Sequence, residues 1–236
     1  VTYNNVDLWN DYGVMASGEG AFDGASADVK TVSVAGRNGD LVIDNRRWNN
    51  IRVNYPAFII GSDANDFERK LSGLRAFLVS MKSYKRLIDS YHPNEYRLAR
   101  FNGGMNVKPT GTKEAGTFTL TFDCKPQRFL MSGDTVHTFE SNGTIFNETL
   151  FDALPMLRVY GKGTFTIGGQ NVVINSNYPY SYIDIDCETM DCFFNDNNCN
   201  EYVEMEDFPI LHAGTNVISL GDDVTKIMIT PRWWTL

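Results

Sequence analysis

The sequence predicts a mainly β protein in two parts, a β-rich first domain with one helix and an all-β second domain of sandwich type. Three observations predict it: strict two-residue alternation in several short segments, one helical stripe, and a break in pattern and charge between Pro126 and Thr135. At 236 residues the chain holds one large or two ordinary domains. The break sets the expected boundary at 1–132 and 133–236, with the last strand free to return to the first domain.

The first alternating segment is Ile51-Arg52-Val53-Asn54-Tyr55. A helix follows over Asp63 to Lys82, because Phe67, Leu71, Leu74, Leu78 and Met81 recur at spacings of 4, 3, 4 and 3 and so form one apolar stripe. Ser62 or Asp63 can cap its start. Gly73 in its middle disfavours it by roughly 1 kcal/mol relative to Ala, too little to cancel the stripe. Tyr96-Arg97-Leu98 is a short strand. In Thr117 to Cys124 the residues Phe118, Leu120, Phe122 and Cys124 fall on one face and Thr117, Thr119, Thr121 and Asp123 on the other, the pattern of a half-buried strand.

Beyond the break, Gly168-Gly169 between Thr164–Ile167 and Val172–Ile174 predicts a tight hairpin, since both turn positions tolerate positive φ. Ile183-Asp184-Ile185-Asp186 and Ile227-Met228-Ile229 read as strands with one apolar face. The Asn/Asp-rich run Asn195 to Asn200 reads as an exposed loop.

Hydrophobic residues make up 42% of the chain, enough to build packed cores, so wholesale disorder is not expected. Apolar runs such as Ala57–Ile60 fall far short of a membrane span. The first residues have neither a basic nor an apolar leader pattern, and a secretion signal is not expected there. Charge is uneven: residues 1–132 hold 17 Lys and Arg against 14 Asp and Glu, and residues 133–236 hold 4 against 15, giving +3 and −11. A polyanion-binding role for the acidic part is not expected, because phosphate contacts need a cationic surface; a solvated acidic face accounts for the charge.

Chemistry-bearing patterns are sparse. Cys187, Cys192 and Cys199 bunch together, but the paired spacing of zinc sites is absent and no histidine lies near them, so they are expected as unligated thiols. His92, His137 and His212 are scattered. No nucleophile elbow, zinc-hydrolase or phosphate-loop motif occurs, and no catalytic residue, metal or cofactor is expected. Asp184 and Asp186 share a strand face and could serve a glycosidase, which needs two nearby acids, yet ordinary alternation accounts for them as a solvated face. Trp233 and Trp234 could form a sugar-stacking platform or a partner contact. Neighbouring strand residues face opposite ways, however, so one of the two is expected to be buried.

Two ordered series of strand, turn and helix signals resemble the distal tail protein family of siphophages that infect Gram-positive hosts. One runs from Ala35-Gly36-Arg37-Asn38-Gly39-Asp40-Leu41 through the strand at Ile51, the helix with Phe67-Glu68-Arg69 and Leu74-Arg75, and Tyr84-Lys85-Arg86-Leu87. The other runs from Asp207-Phe208-Pro209-Ile210-Leu211 through Gly214-Thr215-Asn216 and Val224-Thr225-Lys226-Ile227 to Ile229-Thr230-Pro231-Arg232-Trp233-Trp234-Thr235-Leu236. The opening Tyr3-Asn4-Asn5-Val6-Asp7-Leu8 also looks like the short hairpin with which family members begin. Residues from about 140 to 206 match poorly.

The resemblance implies a tail-tube-like first domain with a flanking helix and an extended hairpin, followed by a galectin-like β-sandwich. It implies a structural virion protein, not an enzyme: a homo-hexameric ring at the tail tip, assembled in the host cytoplasm. The ring would join the tail tube protein to receptor-binding or wall-lysing tip proteins, with the tape-measure protein as a further neighbour. DNA would pass through the channel without sequence-specific binding, and no membrane partner is implied. A ring needs two different complementary patches on each subunit. The segment from Arg37 to Trp48 is the candidate for one of them, with Arg37, Asp40, Leu41, Arg46, Arg47 and Trp48 as interface residues. A surface hairpin packing on its own domain is the alternative for that segment. For the whole chain the alternatives are a carbohydrate-binding module using Trp233 or Trp234 and, behind it, a glycosidase.

Overall fold

The computed structural model describes all 236 residues apart from the side chain of Glu19. The chain divides into two compact units, Val1–Arg128 with Leu236, and Phe129–Thr235.

The first unit contains β1 (Thr2–Tyr3), β2 (Val6–Asp7), α1 (Leu8–Tyr12), β3 (Val14–Ala16), β4 (Ala27–Val32), β5 (Leu41–Trp48), β6 (Ile51–Ile60), α2 (Ala64–Ser80), β7 (Lys85–Ile88), β8 (Glu95–Phe101), β9 (Lys108–Pro109) and β10 (Ala115–Leu130), whose last two residues fall in the second unit. Its main sheet runs β2-β1-β7-β8-β10-β6-β3, with β9 also on β10. The β1–β2 turn places Asn4 and Asn5 at φ 48° and 64°, the geometry that makes paired asparagines good hairpin formers.

Strands β6 and β10 pair antiparallel over ten residues, from Ile51 opposite Cys124 to Ile60 opposite Ala115. Alternation then sends Val53, Tyr55 and Ile59 with Leu120 and Phe122 to one face, where they form a core with Phe67, Leu71, Leu74 and Leu78 of α2. Four of the five stripe residues are thus buried as expected; the helix ends at Ser80, and Met81 is half-buried just past it. Asp63 is the cap, accepting from the Asn65 and Asp66 amides at 2.8 and 2.9 Å, while the Ser62 amide donates back to Asp66.

A second helix, α1, was not expected. Its five residues are too few to show a stripe, and it is held by its ends: Asp7 accepts from the Trp9 and Asn10 amides, and Gly13 at φ 66° closes it by donating its backbone N–H to Trp9 O. It also explains Gly73. A Cβ there would lie 3.2 Å from the Tyr12 ring, so glycine admits the close approach of α1 to α2.

The second unit contains β11 (His137–Phe139), β12 (Gly143–Asn147), β13 (Met156–Gly161), β14 (Gly163–Ile167), β15 (Gln170–Ile174), β16 (Tyr182–Asp186), β17 (Asp191–Phe194), β18 (Asn197–Asn198), β19 (Val203–Met205), β20 (Gly214–Leu220), β21 (Val224–Thr230) and β22 (Trp234–Thr235). One sheet is ordered β11-β21-β13-β16-β17-β18 and the other β12-β20-β14-β15-β19. Their inward residues, Val159, Ile183, Ile185 and Ile227 from the first and Phe165, Ile167, Val172 and Ile218 from the second, share one core, which makes the unit a sandwich. Gly168 and Gly169 take φ 59° and 88° in the β14–β15 turn. The run Asn195–Asn200 is more ordered than a loop: Asn195-Asp196 is the turn of the β17–β18 hairpin and Cys199 is buried.

Candidate functional site

Strands β4 and β5 form a two-stranded sheet of their own. Register runs from Val32 opposite Leu41 to Val29 opposite Asp44, then jumps to Ala27 opposite Trp48. One residue, Asp28, therefore faces three, Asn45, Arg46 and Arg47, in a wide bulge. Its carboxylate fastens the bulge by accepting from Arg47 Nε and, at 3.2 Å, from Asn45 Nδ2, and these bonds hold the Asp28 carboxyl below the usual carboxylate range. Arg46 sits at φ 55°, with its amide donating to Asp44 Oδ1 at 2.8 Å. The Asn49 amide closes the base on Ser26 O. At the far end Gly36 and Gly39, both at φ 79°, turn the connecting loop.

Every residue of β5 is exposed, including Leu41, Val42, Ile43 and Trp48, and Val29 on β4 is exposed with them. An arm so built offers apolar side chains on a strand pair that has no core of its own. On the main sheet of the same unit, Met15, Ala16, Pro56, Phe58 and Tyr91 line an open apolar groove of about 480 Å³ beside the edge strand β3.

The six residues singled out on this arm do not form one cluster. Arg37, Asp40 and Leu41 lie at its tip and Arg46, Arg47 and Trp48 at its base, roughly 20 Å apart at the rise of a strand. Arg47 is already committed to Asp28. The partner strand β4, and Asp28 with it, was not read from the sequence; the β-branched residues Val29, Thr31, Val32 and Val34 are the signal that could have found it.

In the second unit Trp233 is 6% exposed and belongs to the core. Trp234 stacks on Phe151 at 4.4 Å, and its Nε1 donates to Asp152 O at 2.9 Å. The two indoles therefore do not form a shared platform. Asp184 and Asp186 are not a solvated face. Asp184 is 4% exposed and takes two bonds from Arg158, at 2.7 and 2.8 Å, from the directly opposite position of β13. Asp186 takes two from Arg232, at 2.6 and 2.9 Å. Facing arginines replaced solvent, which strand alternation alone does not reveal. His92 lies in a turn, His137 on β11 and His212 beside Asp152, so the three are not brought together. All four cysteines are free and buried, and no cluster of metal-ligating side chains occurs among the described residues.

Over residues 14–124 the sequence matches the family model described as the phage tail protein RIFT-related domain. No curated protein sequence matches the chain. Among solved structures, it is similar to the Dit protein (gp 19.1) of phage SPP1, described as a paradigm of the hub adsorption apparatus in phages infecting Gram-positive hosts. That match has a TM-score of 0.71 at 15% identity and covers 100% of this chain and 98% of that one. A chain of the phage P2 baseplate in its activated conformation with Ca matches with a TM-score of 0.50 at 11% identity, over 94% of this chain and 91% of that one. Similarity at such identities speaks to fold. Residues 14–124 therefore resemble the phage tail protein RIFT-related domain, and the chain as a whole has a fold like that of the SPP1 Dit protein.

Proposed function

We propose that this chain is a hub subunit of a phage tail tip. Six copies close into a ring that joins the tail tube to receptor-binding or wall-lysing tip proteins and leaves a channel for DNA. The observation that carries the ring is the β4–β5 arm: an isolated strand pair is marginal in water, and this one exposes Val29, Leu41, Val42 and Ile43. Covering it with a neighbouring subunit removes that apolar area from water. A closed ring requires head-to-tail contacts between two unlike patches. The arm is one, with Trp48 and Arg46 at its base and Arg37 and Asp40 at its tip, and the groove by Met15 and Phe58 is the other.

The test is native mass measurement. Six copies of a 26.6 kDa chain give a particle of about 160 kDa. Replacing residues 27–48 by a short Gly-Ser linker is expected to yield monomers with unchanged circular dichroism in the remaining sheet. A ring that survives this replacement removes the arm from the interface. A wild-type chain that stays monomeric alone and when mixed with tail-tube subunits overturns the hub reading.

A further inference from the structure

We propose that Cys192 and Cys199 are a latent cross-strand disulfide, closing when the reduced protein meets a small-molecule disulfide and stapling the β17–β18 hairpin. Phe193 pairs with Asn198 and Phe194 with Asn197, so one further step along the register sets Cys192 opposite Cys199. The Cys199 amide donates to Cys192 O at 2.7 Å, which carries one bond of a hydrogen-bonded pair a step past the end of β18, where Cys199 at φ −129° and ψ 18° leads into a short turn. The Cys192 amide donates instead to Asn200 Oδ1 at 2.6 Å. Cα atoms at hydrogen-bonded positions lie about 5.5 Å apart, within the roughly 4.4–6.8 Å that a disulfide spans. Directly opposed residues also point to one face, and both thiols are in the core at 1% exposure.

Cys187 is the competing partner and is placed less well. Asp186 pairs with Asp191 and Ile185 with Cys192, so Cys187 stands diagonal to Cys192, where Cα separations of about 7–8 Å exceed the bridging range. Burial pushes the Cys192 thiol up to about 12, with Asp191 and Cys199 adding to the effect, so the folded hairpin reacts slowly. Access comes through opening of β18, a two-residue edge strand whose Asn197 and Asn198 are exposed.

In the reaction, one cysteine loses its proton and attacks a sulfur of the small disulfide, whose S–S bond breaks and releases one thiolate. The second cysteine loses its proton, attacks the protein sulfur of the mixed disulfide and expels the other small thiolate. The two cysteines give up two electrons and two protons, and the oxidant becomes two thiols. Bridges at hydrogen-bonded positions are strained, so this one is expected to reopen readily with dithiothreitol.

The test exposes the folded wild-type protein to oxidised glutathione, then alkylates it in denaturant and measures intact mass and peptides. Two of the four cysteines should escape alkylation, the mass before alkylation should fall by two hydrogen atoms, and the linked peptides should contain Cys192 and Cys199. Cys187→Ser should keep the bridge and Cys199→Ser should lose it. Four alkylated cysteines, a lasting glutathione adduct without a link, or a link through Cys187 or Cys124 would each overturn the proposal, and all are read on wild-type protein whatever the variants do.

Discussion

Replacing Arg158 by Met should destabilise the second unit more than replacing Asp184 by Asn, although both changes break the same ion pair. Asp184 is 4% exposed, while the Arg158 side chain keeps 42% of its surface in water. Arg158→Met leaves a carboxylate buried without its two donors, a loss that runs to about 3–5 kcal/mol for a fully buried pair. Partial hydration of the guanidinium screens the pair, and about 2–3 kcal/mol is the working figure. The change also removes the guanidinium 4.3 Å over the Tyr182 ring, a contact of about 0.5–1 kcal/mol, while the Met stem preserves most of the aliphatic packing. Asp184→Asn leaves a guanidinium that water and Tyr182 still accommodate, at about 1 kcal/mol. For a unit of about a hundred residues, 1 kcal/mol moves Tm by about 4 °C, so the losses, about 2.5–4 and about 1 kcal/mol, should be about 10–16 °C and about 4 °C. Calorimetry on both single variants and the double variant tests this. Equal losses, or a larger one for Asp184→Asn, would refute the claim that an uncompensated buried carboxylate dominates.

Asp63→Ala should cost about 1 kcal/mol in urea unfolding, because it strands the Asn65 and Asp66 amides now satisfied by one carboxylate; Asp63→Ser should recover most of it. Leu120→Ala, at a fully buried position of β10 in the core shared with α2, should cost about 3 kcal/mol, and a loss under about 1 kcal/mol would mean the core collapses around the gap. Burial works to raise the Asp186 carboxyl, but Arg232 with the Glu188 and Thr189 amides outweighs it and holds the group below the usual range. Its stabilisation is therefore complete above the ordinary carboxylate pKa of about 4 and is lost as pH falls through the depressed value. Melting curves across that acid range should fall more steeply for wild type than for Arg232→Gln, and parallel curves would refute the assignment.

What could be read from the sequence followed from periodicity. Phe67, Leu71, Leu74 and Leu78 repeat along one helix face and Phe118, Leu120, Phe122 and Cys124 along one strand face, and burial follows both patterns. The helix α1 escaped because capping by Asp7 and Gly13, not a stripe, defines it. The ion pairs at Asp184 and Asp186 escaped for a different reason. An aspartate on a strand looks alike whether water or an arginine lies opposite, and Arg158 is 26 residues away in sequence. The candidate arm was legible in its turn residues and Trp48, but not in its division into tip and base, since the bulge at Asp28 depends on a partner strand that the pattern left unread.

The charge imbalance gains meaning once the cations of the second unit are located. Arg158 binds Asp184, Arg232 binds Asp186 with Glu188 3.7 Å away, Lys162 donates to Ser176 O, and Lys226 lies 4.2 Å over the Tyr160 ring. These are the only four cationic side chains from residue 133 onward, against 15 carboxylates. Each is engaged within its own unit, so the remaining acids present a surface field with little local compensation. Such a field repels a second acidic unit and draws a basic partner, raising encounter rates by roughly tenfold or more at low salt. Within the hub reading, the tip protein that docks on this unit should carry a cationic face. Its association rate should fall steeply with added salt while its dissociation rate changes little, and a salt-independent association rate would rule this steering out.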